Sequence, residues 1–291
     1  MPPLGPRRVV VLCDNETSGP ACACEWGLSL AIALGPAPGA PGRDAAEAHG
    51  DEAGGSLWLW DTGKTGLFLQ NAAALGVDVS SARGLALSHG HYDHTGGMGA
   101  LLAAGLTGAI HAHPSCAQDR WAREKGRPLH IGPPAQLPPF IPAGPVTKLA
   151  PGLTMLTDIP RAPGRFQAVQ GFSRDPEGRE PDHVPDDAFL VLETAQGPVA
   201  VLGCCHSGLA NSLACAAQRL GIRSFFAVLG GLHLFQAGAE ALRETADALA
   251  HYEVRQLVAG HCTGRDRTEA LRNLLPQCSV HHLAAGQIWL Y

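Results

Sequence analysis

The chain has 291 residues, with 21 Lys and Arg against 26 Asp and Glu and a formal net charge of -5, so no broad cationic field is present to hold a polyanionic nucleic acid. Hydrophobic residues make up 45% and charged ones 16%, which excludes a disordered chain and suffices for a full-sized core. The 36 Gly and 23 Pro exclude an all-helical bundle and point to strands, turns and short helices.

Along the chain, residues 9–13 and 56–60 read as strands, separated by an Ala, Gly and Pro-rich loop over 36–55. Helical spacing over 67–75 ends at Gly76, a C-cap residue. A short buried strand at 85–87 runs into SHGHYDHTGG, followed by a small-residue helix at 98–104 and a strand at 109–112. Residues 128–185 carry closely spaced prolines and little periodicity beyond a strand at 153–156, as expected of a loop region that covers a substrate. Regular alternation returns with strands at 188–193 and 199–202, the second leading into GCCHSG. The rest alternates: helix 209–220, strand 224–229, helix 239–251, strand 256–259, helix 267–275 and strand 288–290. Strands interleaved with helices, with no linker between, predict one layered α/β domain over 1–291.

No apolar run approaches the ~20 residues of a bilayer span, and the apolar stretch after Arg7 and Arg8 is too short for a secretory segment. The expectation is a soluble, cytoplasmic protein with a small-molecule substrate and neither a nucleic-acid nor a membrane partner; the sequence leaves the oligomeric state open. Nine scattered cysteines suit a reducing compartment. The 14 His direct attention to metals.

His89, His91, Asp93 and His94 fall within six residues at a strand end. A strand end followed by a tight turn aims several side chains at one point, and imidazole with carboxylate is a donor set for zinc, iron or manganese. A polar loop with self-satisfied histidines is the bland alternative, and four ligand-type residues in H-x-H-x-D-H order disfavour it. Three other signals fail. Gly63-Lys64-Thr65 lacks the first P-loop glycine, whose place is held by Trp58. Cys22 and Cys24 have no second pair, and no G-x-S-x-G elbow surrounds Ser207.

The H-x-H-x-D-H run, the Asp61-Thr62-Gly63 turn, GCCHSG and GHCTG together resemble the metallo-β-lactamase superfamily. Cys13-Asp14-Asn15, Gly27-Leu28-Ser29, Cys204 to Asn211, Gly230 to Leu234 and His261 to Gly264 are similar to its dihydropterin / ribofuranosylaminobenzene-phosphate synthase-like branch. The resemblance implies an αββα sandwich with two divalent metals, zinc foremost with iron or manganese as alternatives, and a hydroxide between them. It implies His89 and His91 on the first metal and Asp93, His94 and His261 on the second. His206 is the choice for the remaining ligand, with His183 as rival. Cys204 stands where a bridging Asp is usual, as a thiolate ligand or a small buried hydrophobe. Asp61 is expected to orient a ligand histidine. Asp93 is expected to assist proton movement, His233 to serve as a proton donor or anion contact or else as a core histidine, and Arg161 to face the substrate. The functions implied are a metallohydrolase acting on a small anionic phosphoester or cyclic ester, a synthase joining a dihydropterin to ribofuranosylaminobenzene phosphate, or a di-iron redox enzyme.

Overall fold

The computed structural model describes residues 5–36, 55–134 and 136–291. Two seven-stranded sheets face one another. The first runs in space Ile288–Leu290, Arg7–Cys13, Ser29–Leu34, Ser56–Trp60, Gly84–Ala86, Ala109–Ala112 and Ile141–Pro142. The second runs Ser279–His282, Gln256–Gly260, Ala227–Gly231, Val199–Leu202, Phe189–Leu192, Leu153–Leu156 and Val146–Ala150. Each sheet has an antiparallel half and a parallel half, joined at Ser56–Trp60 in the first and at Val199–Leu202 in the second.

Three apolar clusters make the layers. Val9, Val11, Leu30 and Ile32 of the first sheet meet Met155, Leu190, Val201 and Leu229 of the second in the central one. The opposite face of the second sheet is covered by helices Leu209–Leu220, Ala239–His251 and Arg265–Leu274, which bury stripes such as Leu209, Leu213 and Ala216 at helical spacing. Helices Leu67–Ala74 and Met98–Ala103 cover the first sheet in the same way. The result is the expected αββα sandwich. Gly76 sits at φ 67 past the first helix, with its N–H on the Ala73 carbonyl and that of Val77 on Ala72, the paired bonds of a Schellman end.

The structure corrects the reading of 128–185. That region contains strands Arg127–His130, Ile141–Pro142, Val146–Ala150 and Leu153–Leu156, two of which edge the second sheet, while Arg127–His130 pairs with Trp121–Glu124 in a hairpin. The longest stretch there without a strand or helix among the described residues is Thr157 to Ala188. Ser29–Leu34 and Ser279–His282 are strands that periodicity did not signal. The loop expected over 36–55 lies almost wholly outside the described residues.

The fold brings the carboxyl ends of parallel strands from both sheets to one rim. Asp61 follows Ser56–Trp60, His89 to His94 follow Gly84–Ala86, Cys204 to His206 follow Val199–Leu202, His233 follows Ala227–Gly231, and His261 follows Gln256–Gly260. Such a rim is where open α/β sheets place their ligands. The fully buried Trp60 links the two sheets there, its Nε1 donating to the Leu202 carbonyl at 3.1 Å. Trp60→Phe keeps an aromatic ring, loses part of its volume and removes the indole N–H from that buried carbonyl. The expected loss is about 1–3 kcal/mol in denaturant unfolding; an unchanged midpoint would show that the bond does not join the sheets.

Candidate metal centre

Ligand-type side chains gather in two adjoining groups at the rim. His89 Nε2 lies 2.9 Å from His91 Nδ1 and 3.2 Å from His206 Nε2. His94 Nε2 lies 3.2 Å from His261 Nε2, and Asp93 Oδ2 lies 3.4 Å from His261 Nε2 and 3.9 Å from His94 Nε2. Cys204 Sγ belongs to both groups: it is 3.1 Å from His94 Nε2, and its ligand atom falls within 4.8 Å of those of His89 and His206. All seven residues are buried.

Close backbone approach makes this packing possible. A Cβ on Gly90, between the first two histidines, would sit 2.0 Å from the Cys116 carbonyl oxygen, and one on Gly203 would meet the Ser88 hydroxyl at 2.2 Å.

The hydrogen bonds behind the rings set which nitrogen carries the proton. His206 Nδ1 faces the Ala168 carbonyl at 2.6 Å and must donate to it. Asp61 Oδ2 accepts from His94 Nδ1 and from the Ser88 hydroxyl, both at 2.6 Å. That hydroxyl proton being spent, Ser88 Oγ is left to accept from His89 Nδ1 at 2.8 Å. Asn15 Oδ1 takes His261 Nδ1 at 3.0 Å while the Asn15 amide donates to the His261 carbonyl. Four imidazoles therefore aim Nε2 at the centre with the proton held on the far nitrogen, the tautomer of a metal-ligating histidine.

Electrostatics agree with the donor set. Burial, together with the neighbouring histidines and Arg120, drives His89 and His91 well below the ordinary imidazole range, and burial with His233 and His91 does the same to His206. Asp93 is buried, yet His94, His261 and His91 outweigh burial and hold its carboxyl below the ordinary range. Burial opposes a charge on His261 too, but Cys262, Asp93 and Asp14 prevail and raise it to about 9. Burial and the Cys262 sulfur push the Cys204 thiol up. The buried His91 Nε2 has no hydrogen-bond partner. The opposed bare nitrogens of His89 and His206, an ionised carboxylate and a shared sulfur fit divalent cations of the zinc or iron type.

Two layers of support were not legible before. Arg120, itself buried, ion-pairs with Asp182 at 2.8 Å and Asp186 at 2.5 Å, and the other oxygen of Asp186 accepts the Gly90 N–H at 2.7 Å. Asp187 accepts the Ser207 N–H at 2.7 Å, next to His206. Cys262, within the HCTG run, joins the site as well: its ligand atom lies within 4.8 Å of those of Cys204 and His233. Its sulfur accepts the His233 N–H at 3.2 Å.

The structure also places His183, Arg161 and His233. His183 is exposed on a cavity wall and belongs to none of the ligand groups among the described residues, whereas His206 does. Arg161 does not offer a free guanidinium: it bonds Ser207 Oγ at 3.2 Å, the His183 carbonyl, and the Val184 carbonyl at 2.7 Å. It braces the 183–184 backbone, which sequence alone could not show. His233, at φ 47, packs its ring 4.6 Å from that of His206 and lines the cavity, with its buried Nδ1 unpartnered.

Asp61→Asn would give His94 or Ser88 a donor where an acceptor is needed; zinc titration should show a 10–100-fold weaker affinity with unfolding still cooperative. Because His261 keeps its proton up to about 9 and must lose it to bind a cation, affinity should rise at least about tenfold per pH unit below that value and less steeply above it. A flat profile between pH 6 and about 8 would contradict the assignment of His261.

The family model of the metallo-beta-lactamase superfamily matches residues 52–261. The chain is 28% identical over 231 residues, 67% of its length and 71% of the other's, to a Methanocaldococcus jannaschii protein named 7,8-dihydropterin-6-methyl-4-(beta-D-ribofuranosyl)-aminobenzene-5'-phosphate synthase. Among solved structures it resembles Tm1679, described as a metal-dependent hydrolase of the beta-lactamase superfamily, with a TM-score of 0.77 at 23% identity over 97% of this chain and 98% of that one. It also resembles zinc-bound PqqB from Methylobacterium extorquens, with a TM-score of 0.51 at 12% identity over 97% and 99%. With most of its length matched by that family model and its strand ends converging on a histidine-rich rim, the chain belongs to the metallo-beta-lactamase superfamily.

Proposed function

We propose that the chain is a metallohydrolase that holds two divalent cations, zinc foremost, and acts on a phosphoester or cyclic ester. The observation that carries this reading is the meeting of the two ligand groups at Cys204 Sγ. His89, His91 and His206 would hold the first cation, and Asp93, His94 and His261 the second, with Cys204 between them as a thiolate. Cations so held supply Lewis acidity and bring the pKa of a bound water from 15.7 to roughly 7.

The chain's own residues do the rest. Asp61 and Asn15 fix the ring orientations of His94 and His261. His233 stands between the cluster and the cavity, where an unpartnered Nδ1 can hold a proton for a leaving group or contact its oxygen. Phe172 packs 5.1 Å from the His91 ring and 5.5 Å from that of His206, an apolar cover that limits water around the reacting atoms. The segment around 164–170 and His183, on the cavity wall, would cover the substrate.

A second reading is a synthase that joins a dihydropterin to ribofuranosylaminobenzene phosphate, favoured by the name of the 28% identical relative. The same site would then hold the diphosphate that leaves a pterin diphosphate as the new bond to the ribofuranosylaminobenzene phosphate forms. Among the described residues no helix is long and apolar enough to cross a membrane.

Elemental analysis should find two divalent cations per chain. Chelation should abolish turnover of bis(p-nitrophenyl) phosphate or of a lactone panel, and zinc should restore it. His206→Ala should lose cation affinity and at least about 1,000-fold in kcat/KM, a loss of about 4 kcal/mol, while His183→Ala keeps both cations bound. Condensation of a pterin diphosphate without any ester cleavage would replace the first reading by the second.

A further inference from the structure

A cavity of about 730 Å³ opens beside the cluster. His233 joins the two, lining the cavity while its ring packs on His206. Ala168, whose carbonyl anchors His206, forms part of the same wall. The volume is that of a site for a whole small molecule, far more than a scissile ester needs. Most of what the cavity holds must therefore lie away from the reacting end.

The chemistry of that outer part is one-sided. Beyond His183 and His233, its charged lining is one arginine, Arg165, against two carboxylates, Glu240 and Glu244; three glutamines add amides, and the rest is glycine or apolar. Glu244 is half-buried and fixed, both its oxygens accepting the Phe166 N–H at 3.0 and 3.1 Å. The N-terminus of helix Ala239–His251 opens here with no side-chain cap, a feature that by itself favours an anion. Glu240 in its first turn already places a carboxylate at that end. A second anion there would meet like charge in a concave wall that concentrates the field.

We infer that this cavity takes a two-ended substrate: an anionic ester at the histidine cluster and, toward Glu240 and Glu244, an uncharged hydrogen-bonding or cationic arm. The assignment of the reacting end rests on the hydrolase reading above; the charge preference of the outer end does not.

The test uses the zinc-loaded chain and three p-nitrophenyl phosphodiesters whose second arm ends in a carboxamide, a trimethylammonium or a carboxylate. The carboxamide and ammonium arms should give kcat/KM at least about fivefold above the carboxylate arm, with the gap closing near 1 M salt. Glu240→Lys, an exposed change, should reverse the order of ammonium and carboxylate. Matching p-nitrobenzylphosphonates, in which a P–CH2 bond replaces the scissile P–O bond, measure the same order by calorimetry. An equal or better carboxylate arm, or an order that Glu240→Lys leaves unchanged, overturns the inference. If no diester is cleaved while the phosphonates bind in the expected order, the hydrolase reading falls and the charge preference stands.

Discussion

A single buried carboxylate sets the geometry on which the site depends. Asp61 accepts three hydrogen bonds, from the Ser88 N–H at 2.7 Å, the Ser88 hydroxyl and His94 Nδ1. An ion this deeply buried is tolerated only with such a full complement of donors. Its effect reaches both ligand groups, because the hydroxyl it holds leaves Ser88 Oγ to orient His89. One side chain thus decides which nitrogen faces inward on a histidine of each group. Asp61 in turn is aimed by Trp60, whose bond to Leu202 ties its strand to the one that delivers Cys204 and His206.

A second brace arrives from the strandless segment. Asp182, Asp186 and Asp187 lie within six residues, and each is buried. Asp186 reaches Gly90 between the first two histidines, Asp187 reaches Ser207 beside His206, and Arg120 neutralises Asp182 and Asp186 together. Burial alone would lower the Arg120 pKa, but the two carboxylates outweigh it and raise it. Arg161 holds the intervening turn by the carbonyls of 183 and 184. The stretch expected to cover a substrate is therefore, over 182–187, part of the scaffold that fixes the histidine cluster, while residues 164–170 line the cavity beside it.

How much of this the sequence disclosed follows from how local each signal is. His89 to His94 are contiguous, so one turn at one strand end accounts for them, and the motif also placed Cys204 and His206 side by side on the opposite sheet. The choice of His206 over His183 needed the motif, since both are histidines close to strand ends. Ser29–Leu34 escaped because a strand covered on both faces has no alternation to show, its burial being nearly continuous. The hairpin Trp121–Glu124 with Arg127–His130 is half-exposed and rich in charge, which blurs its period. Arg120 and its carboxylates stand more than 60 residues apart in sequence, and no local pattern announces such a pair. The bonds of Arg161, to the Ser207 hydroxyl and the carbonyls of 183 and 184, are equally non-local.

The price of this arrangement is visible in the backbone and in the rings. Asp61, Cys205, His233 and His261 all have positive φ without being glycine, a conformation that costs of order 1 kcal/mol or more each. They are half of the non-glycine positive-φ residues among those described, and all four sit at the strand ends of the rim. His89 and His206 also point unprotonated Nε2 atoms at one another, 3.2 Å apart and buried. Neither feature helps a chain fold, so both must be offset elsewhere. The offset is the apolar interior: the two sheets bury nearly uninterrupted runs such as Val9–Cys13 and Phe189–Leu192 between helical layers, and burial of that kind contributes ~25 cal/mol per Å². A cation bound at the rim would relieve the opposed lone pairs and stabilise the folded chain in proportion to its affinity, so the residues that make the site costly to fold are the same ones that would link its stability to metal.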